Sequence, residues 1–329
     1  MITPGPRNLI TDVPGIKVGN AGHPDYLTGV TVVLPDRPAV AAVDVRGGGP
    51  GTRETDALHP AALVERIDAV ALSGGSAFGL DAASGVVAWL AARDRGFAVG
   101  EARIPIVPAA ILFDLPHAGH AEWAEAPPYR DLAMTACDAA ATTFALGNAG
   151  AGLGATAGTL KGGLGSASAV DEDGLMIGAL VAANPAGSVV MPGQSSFWAW
   201  ALEQEGELGG QTPPQTPVPL EPDLPAGLAP GGNTTLAIVA VGERLTSSQA
   251  QRVAIMAQDG IARAVRPAHT PFDGDTVFVL ATGRGHPRGP AKVARLGALA
   301  ADCVARAIAR GVFEAESAGG MRSYRDTYR

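Results

Sequence analysis

Residues 203–241 read EQEGELGGQTPPQTPVPLEPDLPAGLAPGGNTTLAIVAV, and their two halves could hardly differ more. From Glu203 to Gly232 the chain is polar and proline-rich, a composition that cannot form a packed element. It predicts an exposed, flexible Pro/Gly-rich linker over 203–233. The linker stops at Asn233-Thr234-Thr235, directly before LAIVAV (236–241), which is apolar at every position and suits a strand buried on both faces.

A threonine at such a junction has a chemical use. A free hydroxyl is a weak nucleophile at neutral pH and needs a base. If the Asn233–Thr234 bond breaks, Thr234 gains an α-amino group of unperturbed pKa about 7.7–8.0, a built-in general base. The same hydroxyl can make the break, by attacking the Asn233 carbonyl in an N-to-O acyl shift that water completes. A rigid strand downstream would hold the hydroxyl, while a loose loop upstream lets the old chain leave. Plainer readings stand beside this one. Asn and Thr commonly begin a strand after a turn, and Asn-Thr-Thr is also a formal glycosylation acceptor.

Outward from the junction, Val30–Leu34, Ala39–Val45, Ala69–Leu72, Met176–Ala182 and Thr276–Ala281 read as further strands. The uncharged run from Gly174 to Met191 is broken by Asn184-Pro185 and predicts two buried strands around a turn. Helices are expected over Ser76–Arg95, stopped by Gly96, and over the Ala-rich Tyr129–Leu146. Another is expected over Thr246–Arg266, opened by the capping-box pattern Thr246-Ser-Ser-Gln249 and ended by Pro267. A fourth covers Pro290–Arg310, closed by Gly311. Helices thus stand between the strands.

Composition narrows the function classes. The 329 residues carry 24 basic and 32 acidic side chains, a net charge of −8, with 5% aromatics. An acidic chain without basic clusters argues against nucleic acid and anionic membrane surfaces as partners. Two cysteines, Cys137 and Cys303, stand far apart in Ala-rich stretches and read as buried thiols, with no metal-ligand spacing. The N-terminal MITPGPRNLITDVPG is broken by proline and does not read as a signal peptide, so a soluble cytoplasmic protein is expected. The six histidines form no spaced pair, and none is assigned as a base. RGGGPG (46–51) and LSGGSAFG (72–79) lack the endings of phosphate loops, and Ser76 does not sit in a nucleophile elbow; these strings are expected to be tight turns beneath an active site.

Several stretches, in order along the chain, resemble the DmpA-type family of self-processing aminopeptidases and amidases. They include ITDVPGIKVGN (10–20), VDVRGGGPGTRETD (43–56), LSGGSAFGLDAASGV (72–86), PIVPAAILFDL (105–115), LVAANPAG (180–187), GNTTLAIVAV (232–241) and RPAHTPFDGDTVFVLATG (266–283). The resemblance implies a single catalytic domain over 1–329 with a four-layer α/β/β/α sandwich, similar to N-terminal-nucleophile hydrolases. It implies cleavage at Asn233-Thr234 into an α fragment, 1–233, and a β fragment, 234–329, that stay associated. It also implies a homo-oligomer, with a tetramer of processed αβ protomers as the suggested form. No cofactor is expected, and the partner is a small peptide or amide substrate.

Carried over by position, the family's functional residues are Thr234, Lys161 in GATAGTLKGGLG, Asn184 of the Asn-Pro motif, and the acidic pair Asp273 and Asp275. Thr at the nucleophile position resembles the nylon-oligomer hydrolase branch, whereas most aminopeptidases of the family use Ser. That branch carries a Tyr where this chain has Phe113, so a hydroxyl is missing and substrate choice is open. Lys161 is expected to orient the Thr234 hydroxyl, or else is a loop lysine. Asn184 is expected to donate to the oxyanion, or else is Asn-Pro turn chemistry. Asp273 and Asp275, two like charges so close, are expected to raise one pKa and to accept from the Thr234 amine or a substrate ammonium, or else form a surface turn with a loose cation site. An acyltransferase of the ornithine-acetyltransferase type, and an unprocessed binding protein, are the alternatives to a hydrolase.

Overall fold

A computed structural model describes residues 2–115, 123, 126–219, 221–225, 227–229, 231–286 and 289–329. Of the six histidines, His117 and His120 lie outside the described residues, as do Leu220, Ala226 and Pro230 of the linker.

The first strands are β1 (Ile2–Thr3), β2 (Ile16–His23), β3 (Thr28–Pro35), β4 (Ala39–Val45), β5 (Thr52–Arg53), β6 (Arg66–Ile67) and β7 (Val70–Ser73). A short hairpin, β8 (Phe97–Val99) and β9 (Ala102–Ile104), precedes β10 (Ala109–Ile111), and a second, β11 (Thr156–Ala157) and β12 (Leu160–Lys161), follows. The long strands β13 (Gly163–Asp171), β14 (Met176–Asn184), β15 (Thr234–Val241) and β16 (Thr276–Ala281) come last. The helices are α1 (Ala82–Ala91), α2 (Tyr129–Asp138), α3 (Ser247–Ala264), α4 (Pro290–Glu314) and α5 (Tyr324–Tyr328). A seven-stranded sheet runs β1-β13-β14-β15-β16-β4-β6, and a five-stranded sheet runs β2-β3-β7-β10-β5.

Alternation along single strands defines the layers. In β15, Leu236, Ile238 and Ala240 enter a core shared with the second sheet. Ala237, Val239 and Val241 enter another core, filled by α3 and α4. In β3, Val33 faces the space between the sheets, while Val30, Val32 and Leu34 pack with α1 and α2. Three cores separate four layers: α3/α4, the seven-stranded sheet, the five-stranded sheet, and α1/α2. This is the α/β/β/α sandwich, and it explains why the strands read as continuous apolar runs. Among the described residues no helix is long and apolar enough to cross a membrane.

Where local expectation and structure part, tertiary contacts decide. Helix α3 starts at the expected capping box, with Gln249 N donating to Thr246 Oγ1 at 3.2 Å and Thr246 N to Gln249 Oε1 at 3.1 Å. Helix α2, expected through Leu146, ends at Asp138 because Ala141 is captured by the edge of β2, exchanging two 3.0 Å backbone bonds with Val18. The start of the expected Ser76–Arg95 helix is a 3-10 turn, Ser76–Asp81, ahead of α1. The run 174–191 contains one strand, not two: Pro185 has no N–H for the ladder, and the Ala186 N–H is taken by Asp273 Oδ1 at 2.9 Å. Strands β2 and β13 escaped the sequence reading because Gly, Ser and Ala interrupt them. Those small residues permit close helix packing: a Cβ on Gly19 would lie 1.7 Å from the Ala136 carbonyl, and one on Gly165 1.9 Å from that of Ala307. Helix α4 runs past Gly311 for a similar reason, since a Cβ there would meet Gly163 O at 2.9 Å.

The linker is not uniformly exposed. Its first part folds around Glu203, whose carboxylate accepts from Leu208 N and Gly210 N at 2.8 Å each, and Leu208 is buried against α4 and its neighbours. Glu207 meets Arg306 of α4 at 2.6 and 2.9 Å, and both side chains are nearly buried, 5% and 4% exposed. Asn8 completes the cluster, accepting from Arg306 Nη2 at 2.9 Å. From Thr212 to Gly232 the described residues form no regular element.

Removing one partner of a buried ion pair leaves an uncompensated charge. Glu207→Ala should therefore lower stability by about 3–5 kcal/mol in urea unfolding, whereas Glu205→Ala, at an exposed linker position, should be near neutral. Equal effects would remove Glu207 from its anchoring role.

Candidate active site

Three strand ends meet where the linker joins β15. Asn184, the last residue of β14, pairs with Thr234, the first of β15. Strand β16 lies parallel on the other side, with Thr276 opposite Leu236, so the 270–275 turn stands beside the Asn233–Thr234 peptide. Parallel pairing demands a long crossover, and α3 supplies it.

Thr234 is 2% exposed. Its hydroxyl donates to the carbonyl oxygen of Asn233, the residue directly before it. The same oxygen accepts from Gly274 N at 3.0 Å. Asn233 is itself clamped: its N–H donates to Phe272 O at 3.2 Å, and its side-chain amide to Asn184 O at 3.4 Å. Gly274 must be a glycine, since a Cβ there would sit 2.7 Å from Thr234 Oγ1 and 2.8 Å from Gly49 O.

Both carboxylates of the acidic pair are buried, 1% exposed each. Asp275 accepts from Thr235 N at 2.7 Å through Oδ1. Its Oδ2 accepts from His269 N at 3.1 Å and meets His269 Nδ1 at 2.7 Å. Asp273 accepts from Ala186 N at 2.9 Å and from the Thr270 backbone and hydroxyl at 3.0 and 2.5 Å. Burial first, and the Asp275 charge second, raise the Asp273 pKa above the usual carboxylate range. The RGGGPG turn cradles this loop from below: Arg46 N reaches Asp275 O at 2.9 Å, Gly48 N reaches Thr270 O at 3.3 Å, and Gly49 N reaches Asp273 O at 2.8 Å.

Asn184 and Lys161 occupy the other side. Asn184 Oδ1 accepts from Thr156 N at 2.8 Å, and its Nδ2 donates to Phe113 O at 3.1 Å. Thr156 pairs with Lys161 across the β11–β12 hairpin, so Lys161 connects to Thr234 through Thr156 and then Asn184. Its ammonium donates to three carbonyls, Gly152, Ala155 and Gly162, at 3.2, 2.9 and 3.0 Å. Three donors meet three acceptors, so holding the Thr234 hydroxyl would require one of these bonds to break. Burial lowers the Lys161 pKa to about 7, and the Asp114 charge offsets part of that shift.

The structure thus brings Asn184, Thr234, Asp273 and Asp275 into one hydrogen-bonded group. The N–H that reaches the Asn233 carbonyl belongs to Gly274, and Asn184 turns its own amide to Phe113. Three participants were not singled out from sequence. Gly274 lies unremarked between the two aspartates. His269 stands four residues before Asp273 and needed no spaced partner. Asp114 lies in the Phe113-Asp-Leu segment: it accepts from Gly75 N at 2.7 Å, and its other oxygen is buried without a hydrogen-bond partner among the described residues. Beside Asn233 opens a cavity of about 400 Å³, lined by Phe113, Thr156, Gly158, Met321 and linker residues that include Leu228.

Burial raises the Asp114 pKa from 3.8 to about 6, against the opposing pull of the Lys161 charge. The carboxyl therefore takes up a proton on folding between those values. Its penalty is fully present above about pH 6 and is relieved as pH falls toward about 4. Over that window the wild type should gain up to about 3 kcal/mol relative to Asp114→Asn in urea unfolding. A difference that stays flat across the window would refute the shift.

The whole site lies inside a region matched by known proteins. Residues 8–325 match the model of peptidase family S58. A protein of Mycobacterium tuberculosis named an uncharacterized aminopeptidase is 44% identical over 98% of each chain. A 6-aminohexanoate-oligomer endohydrolase of Kocuria sp. is 30% identical over 84% of this chain and 76% of its own. In three dimensions, the L-aminopeptidase D-Ala-esterase/amidase of Ochrobactrum anthropi, a variant of the Ntn hydrolase fold, superposes with TM-score 0.74 at 22% identity, over 97% of this chain and 89% of that one. A β-aminopeptidase of Burkholderia sp. gives 0.72 at 24% identity, over 98% and 92%. With the fold shared and nearly its full length matched, this chain belongs to peptidase family S58, the DmpA-type family of aminopeptidases and amidases.

Proposed function

We propose that the chain cuts itself between Asn233 and Thr234 and then uses Thr234 as an N-terminal nucleophile to hydrolyse amide bonds. One observation carries this reading: the Asn233 carbonyl is gripped from two sides, by the hydroxyl of the next residue and by the Gly274 N–H. Attack of Thr234 Oγ1 on the Asn233 carbonyl carbon puts negative charge on the oxygen that Gly274 already contacts. A preorganised backbone donor is worth most where charge develops in a water-poor site. The C–N bond breaks as the hydroxyl proton passes to the departing nitrogen, leaving an ester, and water frees Asn233 as a carboxylate. The new α-amino group then serves as base for later turnovers.

Lys161 stabilises the developing charge once one of its carbonyl bonds yields; Asp275 fixes the β15 backbone beside the nucleophile through Thr235 N, and Asp273 holds the chain just after β14 through Ala186 N. Asn184 anchors the adjacent hairpin through Thr156. The linker residues lining the cavity beside Asn233 occupy the acyl side of the site until cleavage releases them. The substrates are small peptides, amino-acid amides or ω-amino-acid oligomers. The names of the relatives support that range, and so does the small cavity. The working form is a cytoplasmic homo-oligomer of processed protomers that needs no cofactor.

Intact-mass measurement of the purified protein should show fragments of 233 and 96 residues (329 − 233 = 96), the smaller beginning TTLAIVAV. Thr234→Ala should remain one chain and be inactive, and Thr234→Ser should keep some of both functions. Thr235→Ala should be mild, because the bond from Thr235 to Asp275 uses the backbone N–H. Gly274→Ala, which crowds Thr234 Oγ1, should slow cleavage by about a hundredfold. Folded Thr234→Ala that hydrolyses amino-acid amides at the wild-type rate would end the reading.

A further inference from the structure

At the end of the sandwich opposite Thr234, the two sheets open into a cleft of about 590 Å³. Strand β15 separates the two places: eight residues at roughly 3.3 Å each give about 25 Å. Four arginines line the cleft, Arg37, Arg66, Arg244 and Arg284, together with Asp36 and Thr282. Asp36 is already paired with Lys17 at 3.1 Å, and Arg66 donates to Pro38 O at 3.0 Å. Among the described residues, Arg37, Arg244 and Arg284 have no hydrogen-bond or ion-pair partner.

The segments that carry these arginines are held by backbone packing. Asp36 N donates to Gly15 O at 2.7 Å and Thr282 N to Val241 O at 2.9 Å. Gly283 lies so close to the neighbouring turn that a Cβ would come within 2.4 Å of Arg244 N. Arg66 is in register opposite Val40 of β4. In a chain of net charge −8, four like charges converging on one cleft repel each other unless an anion joins them. Arginine forks match phosphate and carboxylate oxygens two at a time, and the cleft falls within the size range of small-molecule sites.

We propose that this cleft binds a small multivalent oxyanion, carrying two or more phosphate or carboxylate groups, at a site separate from the hydrolytic centre. Because the arginines are exposed, affinity comes from several of them holding one ligand at once. Isothermal titration of the full chain with inorganic pyrophosphate, and separately with citrate, tests this and distinguishes phosphate from carboxylate chemistry. One ligand should bind per chain, more weakly as salt rises, and Arg244→Ala/Arg284→Ala should weaken it at least tenfold with an unchanged melting midpoint. Arg37→Gln, measured alone, should give a smaller loss of the same sign. Absence of binding by both anions at millimolar concentration would overturn the proposal. Binding that is indifferent to the double substitution, or binding of heparin but neither small anion, would overturn it as well.

Discussion

The pairing of Asn184 with Thr234 is the constraint on which the candidate active site depends. It sets the register of β14 against β15 for all eight rungs of that ladder. Because both faces of β15 are buried, a one-residue slip would exchange Leu236, Ile238 and Ala240 with Ala237, Val239 and Val241 between two different cores. The register in turn sets where the Asn233 carbonyl points. The parallel partner β16 then delivers the Gly274 N–H to that carbonyl, since the turn before β16 has no freedom left once Leu236 faces Thr276. A break before Thr234 would leave every rung of β15 in place.

Buried charge in this protein is held mainly by the backbone. Asp273 and Asp275 each accept from main-chain N–H groups, and Lys161 donates only to main-chain carbonyls. Unpaired burial of a charge is expensive. Fixed backbone dipoles reduce that cost without the side-chain entropy that a mobile partner would lose on ordering. The Glu207–Arg306 pair uses side chains instead, joining an irregular segment to a helix where no ladder is available. That pair splits the proline-rich linker into an anchored first part and a remainder that runs on to Asn233.

Glycine works in three different ways in this chain. At Gly19, Gly165 and Gly311 it lets helices approach strands until backbone nearly meets backbone. At Gly274 it makes room for the Thr234 hydroxyl. At Gly75, with φ +83°, it takes a left-handed conformation and donates its N–H to Asp114. Local sequence reading treats all of these as loop or turn signals, which is why β2 and β13 were invisible to it.

The sequence by itself determined the elements whose signal is local. The apolar runs 39–45 and 276–281 are strands with those bounds, and the Thr246 capping box opens α3 where its chemistry requires. The break in composition at Asn233-Thr234 marked the place where a loop meets a doubly buried strand, and the ordered motifs carried the family. Only the tertiary structure decided what each polar group touches. His269 was one of six unpaired histidines until the 270–275 turn folded it onto Asp275, and Asp114 was an ordinary acid until burial raised its pKa. The donor to the Asn233 carbonyl is a backbone N–H, a group present at every residue except proline, so no residue type could have announced it. Strand and helix signals survive in sequence because they repeat over a few residues. Hydrogen bonds between segments forty or more residues apart depend on register and layer order, which exist only once the sheets have formed.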